Sequence, residues 1–261
     1  MKPMATLDPS PRRQSRQARS GGRRRVSVVG ILGELLITVG AFIFLFLGWQ
    51  LWLNDIIVGN EQQTEALAFS DQLGGAAEPA VPEQAAPTDY GDPVVAAAVS
   101  ETTQFANMYV PRFGADYVRT IAEGVSAANV LKIGIGHYPG TQMPGEVGNF
   151  AVAAHRTTYG KPFNLIGDLR VGDRIYVQTS DGWYTYVFRS LEYVLPTGVG
   201  VLDPVPQFTG LAPEQRILTM TSCNPMLSDA ERIIAYSVFE SWQPVSAGPP
   251  AEIAALVNGA V

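Results

Sequence analysis

Residues 35–53 read LLITVGAFIFLFLGWQLWL, an uncharged run broken only by the polar Thr38 and Gln50. At ~1.5 Å per residue a helix of that length reaches about 28 Å, close to the hydrocarbon thickness of a bilayer. A buried helix of a soluble protein seldom runs so long without a charged face. The run therefore predicts one transmembrane helix near the N-terminus. Residues 1–25, ahead of it, carry eight basic side chains (Lys2, Arg12, Arg13, Arg16, Arg19, Arg23, Arg24 and Arg25) against one acid, Asp8, a net +7. Positive flanks stay in the cytoplasm, so everything beyond about residue 54 is expected outside the cell. Trp49 and Trp52 fall at the far end of the run, where aromatic side chains meet the outer headgroups.

A cleaved signal peptide is the competing reading. Its apolar core would be shorter, about 7–15 residues, and closely followed by a small-x-small site. Here Asn54-Asp55-Ile56-Ile57 follows, and the first such site, Ala66-Leu67-Ala68, lies well downstream. An uncleaved anchor is the better fit. The whole chain carries −6, so the part after the basic tail carries −13. An acidic body would repel phosphate, which argues against a nucleic-acid partner and leaves membrane lipid as the partner of the tail and anchor.

Composition divides the chain into a basic cytoplasmic tail (1–25), an anchor (26–53), a flexible extracellular linker (54–104), a folded domain (105–244) and a C-terminal tail (245–261). The linker reading rests on its Ala, Pro, Gln, Glu and Gly content and its lack of sustained apolar periodicity. The tail holds room for a helical turn at 252–257. Within the folded domain, segments 129–135, 149–154, 174–178, 183–194, 216–221 and 232–242 favour β-branched and aromatic residues and predict strands. Turn formers separate them, among them Pro139-Gly140, Pro144-Gly145, Asn224-Pro225 and the hairpin signal Asp181-Gly182. Helical candidates are few, at 115–123 and 163–169. An all-β domain closed into a barrel follows, since closure removes exposed edges.

The chain has a single cysteine, Cys223. Outside the cell a lone thiol cannot form an intramolecular disulfide, so it is either incidental or reactive. Cys223 ends one predicted strand, and another starts near Arg232 after the turn at Asn224-Pro225. In a hairpin of that kind a guanidinium comes near the thiol at an open end of the sheet, although an ordinary surface arginine fits the same spacing. His155 also ends a strand and precedes a polar loop, 156–160. A thiol, an imidazole and a guanidinium are what acyl transfer through a thioester requires. Two histidines eighteen residues apart, with no supporting cysteine or carboxylate cage, predict no metal site. There is no Gly-rich phosphate loop, and no cofactor is expected.

Thr219-Met220-Thr221-Ser222-Cys223 followed by Arg232 resembles the sortase signature, Thr-Leu-x-Thr-Cys with a later Arg. Gly136-His137-Tyr138-Pro139-Gly140-Thr141, Pro144-Gly145, Gly148-Asn149-Phe150 and His155-Arg156-Thr157-Thr158-Tyr159-Gly160 resemble class E sortases of high-GC Gram-positive bacteria. The resemblance covers about 108–240. It departs at Met220 for Leu, Ser222 for Thr and Ala154 for Gly, and no departure removes a reactive group.

The resemblance implies an eight-stranded sortase-type barrel with short helices. Cys223 would be the nucleophile, His155 the acid and base, and Arg232 the oxyanion or substrate-backbone partner. Thr221, Ser222 and Tyr159 would contact substrate. It implies a C-terminal sorting signal, Leu-Pro-x-Thr-Gly or Leu-Ala-x-Thr-Gly, cut between Thr and Gly, with the surface protein passed to an amine of a cell-wall precursor or a pilin. His137 is expected to be a structural turn residue. An extracellular cysteine hydrolase would use the same residues, and a non-catalytic anchored β-domain would leave Cys223 inert.

Overall fold

The structure is a computed structural model that describes residues 27–49, 53–74 and 89–259. The basic tail, Trp52 and the stretch 75–88 lie outside the described residues. Helix α1 (Val28–Gly48) is exposed along its length and is long and apolar enough to cross a bilayer. It begins before the uncharged run and includes Glu34. Its residues up to Phe46 belong to one compact unit, and the chain from Leu47 onward forms another.

The second unit opens with α2 (Asn54–Gln72). Eight strands follow: β1 (Gln104–Tyr109), β2 (Val118–Glu123), β3 (Ile135–His137), β4 (Gly148–Ala153), β5 (Arg174–Gln178), β6 (Gly182–Val194), β7 (Arg216–Asn224) and β8 (Glu231–Pro244). A short helix, α3 (Ala254–Val257), comes last. The strands close into a barrel in the order β1-β2-β3-β4-β7-β8-β6-β5. The pairs β2–β3 and β4–β7 are parallel and the remaining pairs antiparallel.

Strand periodicity of two decides which residues fill the barrel. Met108, Ile121, Ile175, Val177, Tyr184, Tyr186, Leu218, Met220, Ile233 and Ala235 point inward into one core. Their neighbours Tyr109, Val118, Tyr176 and Trp183 point outward, yet these too are buried, against Ala66 of α2 and Ile253, Leu256 and Val257 at the C-terminus. Burying a side chain of that size contributes about 1.5–3 kcal/mol, so this outer layer is a second core.

Three expectations are corrected here. The segment 54–104 is not a linker throughout, because its first part is α2. Its buried positions, Asp55, Gly59, Gln62, Ala66 and Ser70, recur at helical spacing. They are small or polar, so a search for apolar periodicity passes over them. Hydrogen bonds take the place of greasy contacts. Ser70 Oγ and Tyr109 OH both donate to Gln178 Oε1, at 2.8 and 2.7 Å, and Asn107 Nδ2 donates to the Ala66 carbonyl at 2.7 Å. The helix expected at 115–123 is β2, whose Val118, Thr120 and Ile121 suit the two ladders that flank it. The strand expected at 129–135 is mostly turn, and only Ile135 enters β3. The tail beyond 245 is in part structured, since α3 falls inside the helical turn expected at 252–257.

Ala66→Asp places an unpaired charge in the seam between α2 and the barrel. The expected cost is on the order of 3 kcal/mol, which lowers Tm by roughly 10 °C in a domain of this size. Limited proteolysis should then cut within 54–74 before the barrel unfolds. An unchanged melting curve and cleavage pattern would show that α2 is not docked.

Candidate active site

The parallel ladder between β4 and β7 runs from Gly148 opposite Arg216 to Ala153 opposite Thr221. The Ala154 N–H extends it, donating to the Thr221 carbonyl at 3.2 Å. Carrying that register on brings His155 level with Cys223, each just past the end of its ladder. On the other side, β7 and β8 run antiparallel with Cys223 opposite Arg232. One sheet register therefore brings the thiol, the imidazole and the guanidinium from three segments to one end of the barrel.

Backbone contacts fix these positions. Ser222 is buried, and its Oγ donates to the Ala154 carbonyl at 2.8 Å. The Phe163 N–H donates to the His155 carbonyl at 3.0 Å. Thr221 is also buried, with its hydroxyl 2.9 Å from Tyr138 OH. Tyr138 thus joins the site from the turn after β3. Arg156 braces it from below, donating from Nη1 to the Cys223 carbonyl at 3.2 Å and to Asn224 Oδ1 at 2.5 Å. No role is expected of Arg156 from sequence, although its place beside His155 at a strand end was a usable signal.

Cys223 is half-buried and free. Arg232 Nη1 donates to the carbonyls of Asp229 and Glu231, both at 2.9 Å. It has no carboxylate partner among the described residues, so its other N–H groups are free to meet an anion.

His155 Nε2 is buried and has no hydrogen-bond partner among the described residues. Its ring lies against that of Tyr159, with centroids 5.1 Å apart. Tyr159, Gly160 and Lys161 all have left-handed backbones, with φ of 51°, 76° and 50°. Such angles are unfavourable for the two non-glycine residues. α2 holds them in place. Gln62 Nε2 donates to the Tyr159 carbonyl at 2.9 Å, and Lys161 Nζ lies 3.4 Å from Asp55. Gly59 and Gly160 let the backbones approach, since a Cβ on Gly160 would stand 3.0 Å from Gly59 Cα.

His137, by contrast, is 2% exposed, with Nδ1 2.6 Å from Glu123 Oε2 and Nε2 2.9 Å from the Thr141 hydroxyl. No grouping of residues that could hold a metal occurs among the described residues.

Burial pushes the His155 imidazole below its ordinary value of 6.5, and the Asp55 carboxylate opposes that shift. An NMR titration should place its midpoint below 6.5, and Asp55→Asn should lower it further by removing the anion that favours the imidazolium. The folded-state value lies below the unfolded one. The corresponding stability is therefore present above about pH 6.5 and is lost as pH falls through the folded-state value. A midpoint at or above 6.5 would contradict the burial argument.

A family model described as the sortase domain matches residues 108–240. The chain is 33% identical over 256 residues to Sortase SrtE1 of Streptomyces coelicolor, covering 95% of this chain and 67% of that relative. Sortase E from Streptomyces avermitilis superposes with a TM-score of 0.54 at 40% identity, over 59% of this chain and 99% of that one. Sortase E1 from Streptomyces coelicolor, solved with a tripeptide in its active site, gives a TM-score of 0.55 at 36% identity, over 60% of this chain and 99% of that one. The matched family, the barrel topology and the class E relatives agree, and this chain belongs to the sortases, which are cysteine transpeptidases.

Proposed function

We propose that the protein is a membrane-anchored sortase whose barrel works outside the cell, cutting C-terminal sorting signals of the Leu-Pro-x-Thr-Gly or Leu-Ala-x-Thr-Gly kind. The observation that carries this reading is the register that sets His155 and Arg232 on either side of Cys223. The tripeptide held in the active site of the Streptomyces coelicolor enzyme supports a peptide substrate for the equivalent end of this barrel.

In the first half-reaction, Cys223 Sγ attacks the threonine carbonyl carbon while its proton passes to His155. A neutral imidazole can take that proton, and its lowered affinity helps it give the proton up. The Arg232 N–H groups stabilise the oxyanion. The Thr–Gly C–N bond breaks, the glycine amine leaves with the proton from His155, and a thioester remains. In the second half-reaction an amine of a cell-wall precursor or pilin attacks the thioester. His155 takes its proton, the new C–N bond forms and the C–S bond breaks to release the thiolate.

The basic tail and α1 support a single-pass anchor with the N-terminus inside. Protease added to intact, wall-stripped cells should remove the barrel while an N-terminal tag stays protected. A barrel shielded until the membrane is breached would reverse that orientation.

Incubation with a sorting-signal peptide and a glycine amine, with mass analysis of the products, tests the chemistry. Iodoacetamide should alkylate Cys223 in the folded protein and stop turnover, and Cys223→Ala and His155→Ala should be inactive. His137→Ala should keep measurable activity. Arg232→Lys keeps the charge but loses the planar fork of donors, and kcat should fall by roughly 10²–10³. Cleavage by alkylated or Cys223→Ala protein would rule out the covalent route. Transfer to water alone, whatever the amine, would make the protein a hydrolase.

A further inference from the structure

Between α2 and the segment after His155 lies a cleft of about 280 Å³, with Asp55, Gly59, Tyr117, Arg119, Lys161 and Asn164 among its lining residues. Arg119 on β2 is 8% exposed. Its Nη1 donates to the Val118 carbonyl at 2.7 Å and its guanidinium lies 5.1 Å from the centre of the Tyr117 ring. Its Nε is buried with no acceptor, and no carboxylate pairs with it among the described residues. Arginine is almost never buried without a counter-charge, because desolvating the cation is costly. Glycine at 59 keeps Nη2 uncovered, since a Cβ there would stand 3.4 Å away.

A second cation, Lys161, lines the same cleft, with Asp55 at 3.4 Å. That is longer than the 2.7–2.9 Å typical of a direct charge-assisted bond, so Asp55 leaves the ammonium able to bind another acceptor. Arg119 and Lys161 against Asp55 leave one net positive charge, which suits a monoanion better than a phosphate dianion. A guanidinium fork matches a carboxylate in shape as well as charge.

The position of the cleft says which reactant would bring that carboxylate. The Tyr159 ring rests on His155, and the next two residues, Gly160 and Lys161, line the cleft. In the transpeptidation described above, His155 exchanges its proton with the leaving amine and then with the incoming one, so this is the amine side of the site. We propose that the cleft is an acceptor subsite in which Arg119 and Lys161 bind a carboxylate carried by the peptide whose amine resolves the thioester. The inference rests on the transpeptidase reading and adds a chemical requirement for the acceptor.

The test uses the full-length chain in detergent micelles, a sorting-signal peptide, and triglycine or triglycinamide as the amine. Hydrolysis without acceptor measures the competent enzyme in each preparation, and rates are normalised to it. A charge-assisted bond of ordinary strength gives the acid a KM about tenfold or more below that of the amide. Arg119→Met and, independently, Lys161→Met should bring the two values together by raising the KM for the acid. If Arg119→Met fails to fold, Lys161→Met carries the same comparison. Equal KM values in the unmodified protein, or a preference that survives both substitutions, would overturn the proposal. So would competition by inorganic phosphate without any preference for the acid, which would make the cleft a phosphate site. Cleavage with no amine product at all has a different signature: it removes the transpeptidase reading, and the acceptor subsite with it.

Discussion

The parallel pairing of β4 with β7 is the constraint on which the site depends. A parallel ladder ends both strands at the same edge, so residues that follow them are delivered side by side. Here the residues level with each other just past that ladder are His155 and Cys223. Side-chain period makes the arrangement sensitive, because a slip of one residue would turn the whole set to the opposite face. The register is pinned from within, by Phe150, Val152, Leu218 and Met220 in the core and by Asn149, whose Oδ1 accepts from the Thr219 hydroxyl at 2.6 Å. The core of the barrel therefore sets the geometry of its rim.

α2 acts on the same rim from outside. The loop after His155 strings together three left-handed residues, two of them with side chains that disfavour that backbone. Such a conformation persists where its surroundings over-determine it. Gln62 supplies one of the restraints, donating to the carbonyl of Tyr159 at 2.9 Å, and is itself held by a second bond to the carbonyl of Lys132 at 3.1 Å. The close approach of Gly59 and Gly160 supplies another. At its C-terminal end α2 is tied to β1 and β5 through Ser70, Ala66 and their partners. A single helix thus connects the outer core with the segment that carries the imidazole.

Much of this was legible in the sequence, and what was not has definite causes. The apolar run and the strands from β4 to β8 stood out because each follows a local rule of periodicity or turn chemistry, whereas the expectation of a site at His155, Cys223 and Arg232 leaned on the resemblance of their surrounding motifs to the sortases. β2 did not, because Val118, Thr120 and Ile121 take their strand state from partners on both sides, and nothing in 115–123 announces those partners. α2 was hidden for the opposite reason. Its buried stripe is made of Asp55, Gly59, Gln62, Ala66 and Ser70, and its docking depends on hydrogen bonds and close approach. Arg119 could be counted from the sequence but not recognised, since an unpaired buried cation is a property of three-dimensional surroundings.

Closure of the barrel has a consequence for how it can hold a peptide. An open sheet can grip an extended chain by strand addition, using its edge N–H and C=O groups and asking little of the side chains. In this barrel every strand already has a neighbour on both sides, so that sequence-indifferent grip is not on offer. An extended substrate must be held by side chains at the rim and by the connections between strands. Selectivity then becomes a matter of which loops the barrel carries, and exchanging loops could redirect the enzyme to new peptides while the strands that aim its chemistry stay as they are.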